Sequence, residues 1–74
     1  MERERAKTIS DFALRASDDL NSVLIELLKD ADAGKAAEYK KTIGSILGDI
    51  YFGILRPVYD IHPDVAPDEL KTKG

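Results

Sequence analysis

The sequence has no cysteine among its 74 residues, which removes both disulfide staples and thiolate metal sites. The same absence fits a cytoplasmic chain, the location expected here. Histidine is nearly missing too: His62 stands alone, so any imidazole chemistry must use it. Proline occurs three times, always between residues 57 and 67. No long apolar run exists either. The longest such stretch, residues 46–55, is too short to span a bilayer and contains Asp49. A basic surplus is also lacking. The formal net charge is −3 and the isoelectric point near 5.0, which argues against a nucleic-acid partner. The opening M-E-R-E-R-A-K-T carries charges of both signs with no apolar run behind it, so no signal peptide is expected.

What is present is ordinary for a folded helical chain: 43% hydrophobic and 34% charged residues. The length allows one small domain. A domain of this size buries little surface alone and usually adds disulfides, a metal or self-association. With cysteine absent, a compact monomer and an oligomer remain.

Two amphipathic helices are predicted. Over residues 9–33, Ile9, Phe12, Ala13, Ala16, Leu20, Val23, Leu24, Leu27, Leu28 and Ala31 recur at steps of three and four, one broad stripe at about 100° per residue. Thr8 with Asp11 resembles a capping box, with Ser10 a second possible N-cap, and residues 1–8 read as a charged extension whose E-R-E-R-A-K could continue the helix as solvated turns. Gly34 is placed to end this helix as a left-handed residue. A second helix is predicted over residues 36–55, with Ala36, Tyr39, Ile43, Ile46, Leu47, Ile50 and Ile54 as its stripe. It should end or kink sharply at residues 55–57, because the residue before Pro57 avoids helical angles; Val58 and Ile61 would continue the stripe if it kinks instead of ending. Residues 57–74 read as a proline-rich tail, largely extended, with a possible short helix capped by Asp64 and anchored by Leu70.

The fold class that follows is all-α: an antiparallel helical hairpin that dimerises into a four-helix bundle. Charge is uneven along it, net −3 over residues 1–34, +2 over 35–56 and −2 over the tail, which suits antiparallel pairing of the helices. The stretch G-S-I-L-G-D-I-Y-F-G-I-L, residues 44–55, decides how it would assemble. Three glycines sit in the most apolar part of the chain, each weakening a helix by about 1 kcal/mol relative to alanine. On a regular helix, Gly44, Gly48, Tyr51, Phe52 and Leu55 cluster opposite the main stripe. Gly44 and Gly48, four apart, open a groove for a partner's backbone or ring. These five residues are the expected self-association face. The competing expectation is that the tail folds back and covers them through Val58, Ile61, Val65 and Leu70.

Candidates for chemistry are thin. In an extended Y-D-I-H-P-D segment, Asp60, His62 and Asp64 would project to one side, a possible divalent-metal set or Asp–His pair. A solvated tail is the commoner state of such residues, and no nucleophile is near in sequence. Asp18 and Asp19 read as a solvated face and Asp49 as a rim residue. Tyr39, Tyr51 and Tyr59 read as packing aromatics with edge hydroxyls. Arg3, Arg5, Lys7, Lys40 and Lys41 are too scattered to build more than a weak anion contact. The glycine-rich stretch lacks the Lys-Ser/Thr ending of a phosphate loop. No catalytic residue, cofactor or metal is therefore assigned. The expected function is a non-catalytic helical interaction module (an adaptor, regulator or inhibitory partner of a larger protein) that acts as a homo-oligomer. The expected partners are a second copy and a further protein, with no nucleic acid and no membrane. A bundle that binds an apolar ligand between Gly44/Gly48 and Tyr51/Phe52 is the first alternative, and an enzyme built on His62 the second.

Overall fold

The computed structural model describes residues 1–67, and they are helical almost throughout. Helix α1 runs Arg3–Leu28 and α2 runs Ala33–Ile50. A π-helical turn, Tyr51–Leu55, leads without interruption into α3, Arg56–Ile61. A single 3₁₀ turn, Pro63–Val65, follows. The α1 helix packs against α2, the π turn, α3 and the 3₁₀ turn, so the chain is a hairpin of two long rods measuring 45 × 24 × 19 Å. Among the described residues there is no strand.

The helix boundaries differ from those expected in physically readable ways. The charged opening extends the helix back to Arg3, and Thr8 caps nothing: its hydroxyl donates back to the Glu4 carbonyl at 3.0 Å. The residue that orders this opening is Ala6, fully buried in a cluster with Leu55, Val58, Tyr59 and Ala66. The first helix stops at Leu28, five residues early. Lys29 tightens the last turn through an N–H bond to the Glu26 carbonyl, and Asp32 then opens α2 by accepting from the Lys35 N–H at 2.8 Å. That cap places Gly34 in the first turn of α2, with no left-handed backbone, because the connection is spanned by residues 29–32 instead.

The expected end or sharp kink at residues 55–57 is replaced by the π turn. Arg56 holds ordinary helical angles, φ −60° and ψ −46°, despite preceding proline. Proline lacks an N–H and its ring presses on the carbonyl four residues back, here that of Gly53. In the π turn the Arg56 N–H reaches the Tyr51 carbonyl, five residues back, which widens the coil at that point. The helix therefore passes through Pro57, and residues 56–61 are helical rather than extended. Asp64 lies inside the 3₁₀ turn instead of capping a helix, and Ala66 after it is extended; the rest of the possible short helix, with its Leu70 anchor, lies outside the described residues.

The wider turn also rephases the helix. On a regular helix Leu55 falls away from the Ile43 stripe. One extra residue in the coil swings Leu55, Val58 and Tyr59 onto the side that meets α1. There they join Ala6, Ala13 and Ala66 in the core, flanked by Ile9, Leu14, Ile50, Tyr51 and Val65. Small residues on α1 (Ala6, Ser10, Ala13) let the two rods approach closely at this end. Ser10 and Tyr59 share a buried hydroxyl–hydroxyl hydrogen bond of 2.6 Å.

Candidate functional site

The five residues expected to form one face are split by this rephasing. Leu55 is only 2% exposed and belongs to the intrachain core, so it leaves the set. Tyr51 is half-buried against the same core. Phe52 points outward, 62% exposed, its ring edge-on to Tyr51 with centroids 4.9 Å apart. Gly44 and Gly48 lie on α2 beside it. A Cβ added at Gly44, Gly48 or Gly53 would meet nothing within 4 Å, so no intrachain contact requires a glycine there. Among the described residues the tail does not cover this edge: Val58 goes into the core and Val65 packs against that core, while Ile61 stays exposed; Leu70, the fourth residue expected to cover it, lies outside the described residues.

The titratable residues do not converge. Asp60 sits exposed on α3, while Asp64 accepts from Arg3 Nε at 2.5 Å and His62 Nε2 lies 2.7 Å from the Met1 carbonyl. The extended backbone that would align the three is absent because residues 56–61 are helical. These contacts fasten the two ends of the described chain together. Arg3 holds the Asp64 carboxyl below the usual carboxylate range, chiefly by its hydrogen bond, and is itself raised by the same bond. Both partners are exposed, so the pair is a positional clasp more than a source of stability. Among the described residues no three His, Asp or Glu side chains are gathered as a metal would need. Asp18, Asp19, Asp49, Lys40 and Lys41 are all exposed.

One shallow cleft, about 260 Å³, opens at the hairpin turn between Glu26, Leu27, Asp30, Ala31, Lys35 and Tyr39. It lies far along the rods from Tyr51 and Phe52, and Gly44 and Gly48 face open space rather than a cavity. No helix among the described residues is long and apolar enough to cross a membrane.

Four residues expected on the core stripes are among the large apolar side chains left open. Phe12 is 64% exposed, and Val23, Ile46 and Ile54 are exposed as well. The signal was available in the breadth of the two stripes: each spans more of its helix than one neighbouring rod can cover. No protein-family model matches this chain, and neither a characterised protein nor a solved structure does.

Proposed function

We propose that this chain is a non-catalytic helical interaction module, an adaptor, regulator or inhibitory partner of a larger protein, that works in a self-associated form. One observation supports it above the others. Among the described residues the large side chains buried within the chain are Ile43, Leu55, Val58 and Tyr59, whereas Phe12, Val23, Ile25, Ile46, Phe52, Ile54 and Ile61 are open to solvent. Large exposed apolar patches mark interaction sites in soluble proteins. A chain this small, without disulfides, gains the rest of its core most directly from another copy. Two hairpins stacked face to face make a four-helix bundle.

Two surfaces are available for that contact: the edge formed by Gly44, Gly48 and Phe52, and the exposed flank carrying Ile46 and Ile54. Sedimentation equilibrium tests the reading. A mass of twice 8.2 kDa or more at high micromolar concentration is expected. A chain that stays monomeric there refutes self-association.

A further inference from the structure

We infer that a second copy of this chain docks on the face of the hairpin formed by Phe12, Ala16 and Val23 of α1 with Ile46, Ile54 and Ile61 of the α2–α3 rod, and not on the glycine edge. The inference rests on the self-association reading and specifies its surface.

The placement follows from helix phase. Take the buried line Ala6–Ser10–Ala13 as the direction in which α1 meets the other rod. At about 100° per residue, Phe12, Ala16 and Val23 lie about 80–120° from that line, all in the same rotational sense. On the second rod, take the buried Ile43, Leu55 and Val58 as the reference, allowing the wider coil of the π turn. Ile46, Ile54 and Ile61 then lie about 50–90° away in that same sense. Two antiparallel helices are related by a two-fold axis normal to the layer they form. Equal offsets in one sense therefore fall on one face of the pair. All six residues are exposed. The opposite offset carries the exposed Ile25 and Phe52 but gathers Lys7, Asp18, Lys40 and Arg56 around Gly44 and Gly48, a mixed face with two large apolar side chains against the five (Phe12, Val23, Ile46, Ile54 and Ile61) of the other.

The size of the face suits a second copy. Two rods about 10 Å across and 26 residues long, the length of α1, give a footprint near 20 × 39 Å, roughly the 800 Å² per partner of a standard stable interface. Both rods contribute apolar residues, so a two-fold contact matches each ridge with its own kind. Stacking here places Ile46 and Ile54 between four helices, which supplies the enclosed core that one hairpin lacks.

The absence of cysteine gives a direct test on the intact chain, because a single introduced thiol is the only one. Ala16→Cys and Gly44→Cys are both exposed and both accept a small side chain, the latter with nothing within 4 Å. Thiol-labelling rates are measured from submicromolar to high micromolar chain, alongside sedimentation equilibrium on the wild type, Phe12→Asp and Gly48→Leu. The expected result is a wild-type dimer, an Ala16→Cys rate that falls roughly tenfold when nine-tenths of the chain is associated, and a Gly44→Cys rate that does not change. Phe12→Asp should be monomeric and Gly48→Leu dimeric. A dimer in which Gly44→Cys is the protected thiol and Gly48→Leu dissociates overturns this face while leaving self-association intact. A monomeric wild type with no protection of either thiol overturns both.

Discussion

The buried Ser10–Tyr59 pair is where single atoms matter most in this chain. Its two halves are not equivalent. A helical serine can turn its hydroxyl onto the carbonyl four residues back, as Thr8 does to Glu4 and Ser17 to Ala13 in the same helix. Ser10 thus has a fallback in Tyr59→Phe, and that change should cost about 0.5–1.5 kcal/mol. The Tyr59 hydroxyl has no such backbone partner, so Ser10→Ala leaves it buried and unpaired at about 1–3 kcal/mol. Urea denaturation of both variants checks the order; equal costs, or the reverse order, would contradict it. The Arg3–Asp64 clasp gives a second prediction at this scale. Asp64 has a folded-state pKa below its unfolded value, so its contribution is present above the ordinary aspartate pKa near 3.9 and is lost as pH falls through the depressed value. The Asp64 carboxyl resonance should titrate below the usual range in the wild type and move upward in Arg3→Gln. An unchanged midpoint would show that the clasp does not form in solution.

At the level of elements, the π turn is the device that lets one helix serve two phases. It contains one more residue than a regular coil needs, so excising that residue should leave both flanks in register. Deleting Gly53 alone returns Pro57 to a tight α coil, where its ring meets a carbonyl, at about 3 kcal/mol. Deleting Gly53 together with Pro57→Ala should instead give a regular helix that keeps Leu55, Val58 and Tyr59 in the core and is at least as stable as the single deletion by that margin. Thermal melts and circular dichroism would show it, and a double variant no better than the single deletion would contradict the account. This turn also marks where the sequence stopped being legible. Two antiparallel helices were readable from apolar steps of three and four, because that periodicity persists over many turns. The π turn was not, since it follows from a negotiation between Pro57 and packing on α1 that no local pattern records. Leu55 falls outside the expected face as a result, and the less favoured option that aligned Asp60 with His62 needed an extended chain that residues 56–61 do not form. The packing of the α1 opening, as distinct from its helicity, is not legible for a different reason. Its anchors are small, and Ala6, Ser10 and Ala13 at steps of four and three carry no hydrophobic weight although they mark a close helix approach.

For the whole molecule, the distribution of burial along the rods sets what heating should reveal. The enclosed cluster lies at one end, where Ala6, Ser10 and Ala13 meet Leu55, Val58, Tyr59 and Ala66. Toward the turn, Leu24, Leu27, Leu28 and Tyr39 are only half-buried, and Ile43 is the buried large side chain there. A hairpin built this way has little to hold its turn end closed unless another layer covers it. If the second copy supplies that layer, folding and association are one equilibrium, and stability depends on chain concentration by mass action. Each tenfold rise in concentration is worth about 1.4 kcal/mol per dimer, or half that per chain, which for a chain of this size moves the melting temperature by roughly 3–6 °C. The dependence should disappear in Phe12→Asp, whose melt should also begin lower. Amide exchange locates the effect: with rising concentration, protection should grow most over residues 20–46 and least around Ala6, Ser10 and Tyr59, already enclosed within one chain. A melting temperature that stays constant over a hundredfold range of wild-type concentration would mean that one hairpin is the whole folding unit, with its apolar face left open in the native state.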